Sequence, residues 1–367
     1  MNPDTDTAAQ PWHIRAVRLP DGERPEDWWI VDGRLHDRPV PGARDLPGGW
    51  MLPGLVDAHA HLSMDFNRAG LRPGSDALIA ANLQAQLRGG VLVVRDAGVV
   101  PGARIDSQPL DAPRVVWSGR MLAPAGRFLP GLHEPVSAEA LVDAALAEVA
   151  AGAEWVKIIA DFPGPDWNWS APIVNYPVEA VRSLVREVHA AGARVLAHTS
   201  GTFVAELVRA GVDSIEHGNA VTAELLEEMA ARGTAWTPTV STIAGYLQQM
   251  ETAGGSPAAY ARWQRARWQE LLPLAVELGV PVLAGTDELG AGAIGREVGW
   301  LIRLGLGPDA ALAAASTVPR AYLGFPELRA GAPADIVTFE EDPRRSPQSL
   351  AHPAAVLLGG RLAAAAY

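Results

Sequence analysis

A chain of 367 residues, 48% hydrophobic and 20% charged, is long enough for a barrel-sized domain plus a smaller module. Its formal net charge of -12, without a basic cluster, argues against nucleic acid and anionic membranes as partners. The absence of cysteine excludes disulfides, thiolate metal ligands and cysteine nucleophiles. Because no apolar stretch reaches the roughly 18 residues of a membrane span, and the polar N-terminus lacks the apolar core of a signal peptide, we expect a cytoplasmic protein.

The predicted elements change character along the chain. Residues 12–50 contain short strand-like segments separated by turns, and the tail contains similar segments. Between them, apolar runs alternate with helical patterns such as 138–151, 178–191, 202–210 and 222–232. Several helical patterns end at a glycine that suits a helix C-terminus, namely Gly152, Gly192, Gly211 and Gly233. The predicted strands are 52–59, 91–95, 114–117, 155–159, 194–198, 214–217, 235–239 and 280–285.

Eight such alternations predict an α/β fold, a (β/α)8 TIM barrel over residues 52–327. The terminal β segments have no place in that barrel. We therefore expect residues 1–51 and 328–367 to pair into one small β-sandwich domain beside it.

The candidate catalytic and metal-ligating residues lie in these strands or at their ends. In a (β/α)8 barrel the carboxyl ends of the strands carry the catalytic groups, so these side chains would meet in one mouth. Neutral imidazoles and a carboxylate suit zinc or a similar divalent ion. The set comprises His59, His61, Lys157, His198, His217 and Asp287.

Lys157 requires its own explanation, because a free ammonium cannot ligate a metal and is costly in an apolar strand. A lysine carboxylated by CO2 would instead be an anionic bridge between two metals that share one water. Asp287 would then be a metal ligand and also accept the proton of the nucleophile. Lys157 could alternatively be an ordinary lysine paired with Asp161 or Glu154.

The motifs carrying these residues resemble, in order, those of the amidohydrolase superfamily of metal-dependent hydrolases. They are "LPGLVDAHAHL", "VKI", "AHTSG", "SIEHG" and "AGTD", followed by the tail "RAGAPADIVTFEEDP" and "AVLLGGRLA". The resemblance implies that His59, His61 and Asp287 bind one metal and that His198 and His217 bind another. It also implies a carboxylated Lys157 between them. A lysine on the fourth strand points to the binuclear branch similar to Xaa-Pro dipeptidase and imidazolonepropionase-like amidohydrolases.

The chain departs from dipeptidase-like relatives around the expected substrate pocket. Their Gly-Gly-His is replaced by a segment with Arg127 and His133, and Ser200 stands where they often have a tyrosine. These departures disfavour a prolyl or aminoacyl dipeptide as substrate. An insertion after Lys157 adds aromatic residues that suit an apolar or ring-bearing substrate. The pocket candidates are Arg127, His133, Trp167, Trp169, Tyr176 and Ser200.

The sequence thus predicts a binuclear metal-dependent hydrolase that cleaves a carbonyl-centred bond of a small molecule through a metal-bridging hydroxide. An amide of an N-acyl amino acid or dipeptide-like compound is favoured, and a lactone, ester or carbamate is the nearest alternative. A mononuclear ring deaminase fits less well, because Gly201 stands where those enzymes usually have a glutamate. A non-catalytic barrel relative fits least. Two zinc ions are expected, with manganese, cobalt and iron as alternatives, and a homo-oligomer is left open.

Overall fold

The computed structural model describes residues 10–67, 70–105, 111–165, 167–169, 171–288 and 293–365. The strands, numbered in chain order, are β1 Trp12–Arg18, β2 Pro25–Val31, β3 Arg34–His36, β4 Arg44–Asp45, β5 Trp50–Pro53, β6 Leu55–Ala60, β7 Met64–Asn67, β8 Gly70–Pro73, β9 Val91–Asp96, β10 Arg114–Trp117, β11 Met121–Ala123, β12 Glu134–Pro135, β13 Trp155–Ile159, β14 Asp161–Phe162, β15 Ile173–Val174, β16 Arg194–Thr199, β17 Ser214–His217, β18 Ala235–Thr237, β19 Ile336–Phe339, β20 Ala355–Leu358 and β21 Arg361–Ala365. The helices are α1 Asp76–Arg88, α2 Leu141–Ala150, α3 Val178–Ala190, α4 Val204–Ala210, α5 Ala223–Arg232, α6 Val240–Ala253, α7 Gly255–Glu277, α8 Ile294–Arg303, α9 Pro308–Ala314 and α10 Thr317–Tyr322, with a short 3-10 helix at Pro347–Ala351. None of these helices combines the length and apolar character needed to cross a membrane.

The central elements follow the predicted alternation. β9 and β13 are buried along their whole length, as expected for strands covered on both faces. Helices α4 and α5 end at Gly211 and Gly233, which adopt the left-handed conformation that glycine tolerates. Gly152 and Gly192 also have positive φ, so the glycines predicted to end helices do so.

The buried central strands pair in parallel. One described sheet has the order β10-β9-β6, and another has the order β12-β11-β13-β16-β17-β18. A bridge joins Val99 to Arg120, and another joins Trp236 to Val282. Ala58 in β6 donates its N–H to the carbonyl of Ala284, 2.9 Å away. Since parallel neighbours end on the same edge, the ends of these strands share one face of the molecule.

The first and last central strands differ from their predicted extents. The predicted strand over 52–59 is interrupted at Gly54, so that β5 pairs with β19 and β6 pairs with β9. A Cβ at Gly54 would lie 2.5 Å from a methyl carbon of Leu92, which leaves no room for a side chain at this junction. The predicted strand over 280–285 is corrected to a single bridge residue, Val282, because its backbone pairs irregularly with both neighbours.

Strands from both ends of the chain form one sheet. In the described part of the chain it has eight strands, with the order β21-β20-β19-β5-β1-β2-β3 and with β4 beside β1. Its own apolar cluster includes Ile14, Ile30, Met51, Ile336 and Leu357, apart from the larger central core. The two chain ends therefore contribute to one sheet, and the predicted α/β class is confirmed.

Candidate metal centre

Three candidate ligands converge where β6 ends. Asp287 Oδ1 lies 3.2 Å from His61 Nε2 and 3.5 Å from His59 Nε2. Each of these residues offers a ligand atom within 4.8 Å of the other two. His59 belongs to β6, and the N–H of Asp287 is tied to the carbonyl of His59 at 2.7 Å. The backbone hydrogen bond therefore holds the carboxylate beside the two imidazoles.

A second pair of histidines lies beside this group. The rings of His198 in β16 and His217 in β17 have centroids 4.5 Å apart, and His217 Nδ1 is 4.0 Å from Asp287 Oδ2. His198 Nε2 is buried and has no hydrogen-bond partner among the described residues. A buried nitrogen without a partner is costly, and metal ligation would satisfy it.

Lys157 is buried at the same place. It is 1% exposed, lies in β13 next to β16, and lines the same cavity as the four histidines. It is also the only lysine among the 367 residues, whereas the other cationic side chains are arginines. Burial lowers the pKa of its ammonium to about 8, so a neutral amine is accessible near physiological pH.

The electrostatics of the site favour metal ligation. Burial lowers the pKa of His59 to about 3 and that of His217 to about 4, and it lowers the pKa of His198 well below the usual value. These rings are therefore neutral and able to ligate at neutral pH. Burial alone would raise the pKa of Asp287, but its interactions with the adjacent His59 ring and the hydrogen bond it accepts from His61 hold it below its ordinary value. The donor set thus fits a divalent ion such as zinc.

Buried polar groups orient His59 from behind. Its Nδ1 lies 2.5 Å from Glu216 Oε2, which leaves Nε2 on the side of Asp287. Glu216 Oε1 accepts a hydrogen bond from Arg95 Nη2 at 2.8 Å, and Arg95 Nε donates to the carbonyl of Ala58. Glu216 was not among the site residues predicted from the sequence. A carboxylate within the buried strand "SIEH" does, however, need charged or hydrogen-bonding partners.

The backbone at the site is strained. His217, Thr239 and Asp287 adopt φ values of 65°, 47° and 49°, a conformation that non-glycine residues rarely take. Such residues cost about 1–3 kcal/mol each and persist where the surroundings over-determine them. The Thr239 hydroxyl lies 2.7 Å from His217 Nδ1, and Thr242 Oγ1 donates to the carbonyl of Asp287.

The six candidate ligands line one cavity of about 270 Å³. Among the predicted pocket residues, Trp167, Trp169 and Ser200 also line it. Two further sets of lining residues were not predicted as such. The first set is Phe128 and Phe162. We call these two residues, together with Trp167 and Trp169, the aromatic wall. The other, which we call the helix wall, comprises Ile243, Tyr246, Leu247 and Met250 of α6.

The other three predicted pocket residues do not appear among the described lining residues. Arg127 donates to the Asn175 side chain and to the carbonyls of Phe162 and Ile173. The two His133 ring nitrogens each lie 3.3 Å from a backbone carbonyl oxygen. Tyr176 is fully buried and donates to the carbonyl of Val136. These hydrogen bonds fix the loops around the cavity.

The chain is similar to several known proteins. The model of the amidohydrolase family matches residues 50–363. An uncharacterized protein of Mycobacterium tuberculosis is 37% identical over 357 residues, which is 95% of each chain. The ochratoxinase of Aspergillus niger is 25% identical over 362 residues, covering 85% of this chain and 75% of that protein. Its crystal structure matches with a TM-score of 0.80 at 22% identity, covering 97% of this chain and 96% of that one. A Xaa-Pro dipeptidase with bound methionine in its active site matches with a TM-score of 0.78 at 19% identity, covering 96% and 99%. The last two likenesses show a shared fold.

Proposed function

The chain belongs to the amidohydrolase family and is a hydrolase acting on carbon–nitrogen bonds, and we propose that it hydrolyses an amide of a small molecule with two divalent metal ions. Zinc is the expected ion. The observation that carries the proposal is the convergence of His59, His61 and Asp287 beside His198, whose buried Nε2 has no partner in the described part of the chain. The N-acyl amino acids and dipeptide-like compounds predicted from the sequence are assayed together with uncharged amides.

We assign the ligands in two groups joined by Lys157. His59, His61 and Asp287 would hold one ion, and His198 and His217 would hold the other. Lys157 would stand between them as a carbamate. In that modification the neutral amine attacks CO2, an N–C bond forms, and the displaced proton leaves to solvent. The lowered pKa of Lys157, about 8, supports this assignment because it makes the amine form accessible.

The protein's own groups then perform the proton transfers. When bound, two such ions would lower the pKa of a water molecule and polarise the scissile carbonyl. The Asp287 carboxylate would accept the proton of the attacking water and return it to the leaving nitrogen. Glu216 would keep the His59 ring in the orientation that presents Nε2 to the centre.

We propose further that the parallel strands close into a (β/α)8 barrel over residues 52–327. Two contacts of the segment 280–285 support this closure. The bridge between Trp236 and Val282 joins the segment to β18, and the hydrogen bond from Ala58 to Ala284 joins it to β6. Residues 1–51 and 328–367 would form the small β domain, a division supported by their shared sheet. Cytoplasmic location and a homo-oligomeric state stay predictions.

Metal content per chain tests the proposal. We expect about two ions per chain by elemental analysis of protein grown with zinc and bicarbonate, and amide hydrolysis by that protein. His61→Ala should lower both, whereas His189→Ala should change neither, because His189 lies on α3 and contacts Asp213 at the surface. Near-zero metal without activity after addition of zinc or manganese would overturn the hydrolase centre. One ion per chain would leave Lys157 a structural residue.

A further inference from the structure

We propose, building on the amide hydrolysis above, that the substrate carries uncharged apolar groups on both sides of its scissile carbonyl and that one of these groups is aromatic. The inference depends on two walls of the cavity and on the position of its charges. Among the described lining residues, the acid and base side chains all belong to the candidate metal centre. The aromatic wall adjoins this centre at His198, and the helix wall adjoins it at Asp287.

The aromatic wall stands against His198. The centroid of the His198 ring lies 5.9 Å from that of Phe162 and 6.3 Å from those of Phe128 and Trp169. Phe162 in turn contacts Trp169 edge-on at 5.3 Å and Trp167 at 5.9 Å. Aromatic rings favour edge-to-face and offset contacts with further rings at such distances. This wall therefore suits an aromatic group next to the second histidine pair.

The helix wall lies next to Asp287. Its residues, Ile243, Tyr246, Leu247 and Met250, have the i, i+3, i+4, i+7 spacing of one helix face. Such a stripe usually packs into a core, but Tyr246 is 59% exposed while it lines the cavity. Thr242, at the start of the helix, donates to the carbonyl of Asp287 and fixes the stripe beside the centre. An apolar group of the substrate would complete this face.

The described residues of the two walls offer no partner for a charged group. Among the described lining residues, the remaining polar side chains are the neutral Ser200, Asn219 and Thr242 and the phenols of Tyr246 and Tyr260. Lys157, the four histidines and Asp287 are committed to the centre. A carboxylate or ammonium on either flank of the substrate would lose hydration without gaining a counter-charge, which is strongly unfavourable.

Three matched amides test the inference on the metal-loaded protein. They are benzanilide and its two derivatives with a carboxylate at the para position of the acyl ring or of the amine ring. We expect kcat/KM for benzanilide to exceed that of either acid by about tenfold or more. Equilibrium dialysis measures the binding of any compound that is not hydrolysed. Equal or faster hydrolysis of an acid, or tighter binding of an acid, would overturn the inference and leave the hydrolase function standing.

Two further outcomes separate the inference from the function. Preferential binding of benzanilide without hydrolysis of any of the three compounds would support the inference and count against amide hydrolysis. Failure of all three compounds to bind or react would overturn the inference.

Variants of the walls give an independent readout. Trp169→Ala should lower kcat/KM for benzanilide, whereas Trp263→Ala should not, because Trp263 is half-exposed on α7 and does not line the cavity. Met250→Arg supplies a counter-charge on the helix wall, so it should raise the rate for an acid relative to benzanilide. Met250→Gln is the matched uncharged control. An unchanged acid-to-benzanilide ratio in Met250→Arg would contradict the assignment of the helix wall.

Discussion

The Nδ1 atom of His59 lies 2.5 Å from the Oε2 atom of Glu216, and both side chains are almost completely buried. Burial would raise the pKa of Glu216, but the adjacent Arg95 guanidinium and the hydrogen bond from His59 hold it below its usual value. A carboxylate that accepts the N–H of a ligating histidine fixes the tautomer and the ring orientation. Glu216 therefore acts on the candidate centre through His59.

Glu216→Gln should weaken metal binding, because the amide is a poorer acceptor for His59 and leaves Arg95 without its negative partner. We expect about 10–100-fold weaker metal affinity, measured by competition with a chromogenic chelator, and a lower melting temperature. Glu228→Gln is the control, since Glu228 contacts Arg209 at the surface. Equal chelator midpoints for the two variants would show that the His59–Glu216 contact does not support the metal.

Lys157 can be followed without interference from other lysines, because it is the only one in the chain. Protein incubated with carbon-13 bicarbonate should give a carbamate resonance by NMR that Lys157→Arg lacks. Lys157→Ala should lose about 100-fold or more of the activity, since the proposed carbamate bridge between two ions would be absent. Acetate should restore part of it by taking the place of the carbamate. Full activity of Lys157→Ala would reject the bridging role.

The six residues predicted as ligands line one cavity, and the reason is geometric. Parallel strands end on one edge, so residues such as His198 and His217, at the ends of neighbouring strands, must lie close together whatever the loops do. The buried strands were also predictable from continuous apolar runs. The end of β5 was not, because the interruption at Gly54 depends on packing against Leu92, which is distant along the chain.

The cavity walls were less predictable than the centre. The stripe at 243, 246, 247 and 250 reads as an ordinary core-facing helix face, and only the tertiary structure shows that it borders a cavity. Arg127 and Tyr176 are residue types expected in a pocket, but Arg127 donates to backbone carbonyls of β14 and β15, and Tyr176 donates to the carbonyl of Val136. Such pairings depend on loop conformation, which has no periodic signal in a sequence.

Gly285, in the last central segment, packs directly against the backbone of His59. A Cβ at Gly285 would lie 2.6 Å from His59 Cβ and 2.8 Å from His59 N, so both segments would have to shift. We expect Gly285→Ala to destabilise the protein by about 1–3 kcal/mol through this overpacking and to lower metal content. Gly299→Ala is the matched control, because nothing lies within 4 Å of a Cβ there and alanine favours the helix. Urea unfolding and elemental analysis measure the two effects, and equal results for the two variants would contradict the tight contact at His59.

Glu297 connects α8 to the start of α6. Its carboxylate oxygens accept the backbone N–H groups of Val240 and Ser241 at 2.9 and 2.6 Å. These hydrogen bonds favour the charged form, but burial dominates and raises the pKa of Glu297 to about 7. In the unfolded chain the carboxyl titrates near its ordinary value of 4.5.

The folded protein therefore binds a proton at Glu297 more tightly than the unfolded chain does. The stabilisation that comes from this bound proton is present below pH 4.5 and is lost as the pH rises through 7. The loss amounts to about 3 kcal/mol in the free energy of unfolding. Glu297→Gln cannot ionise, so the stability of the natural protein relative to this variant should fall between pH 5 and pH 8. Urea unfolding at several pH values measures that difference, with Glu277→Gln at the exposed end of α7 as the control. A difference that stays constant, or that grows with pH, would mean that the two N–H groups outweigh burial at this carboxylate.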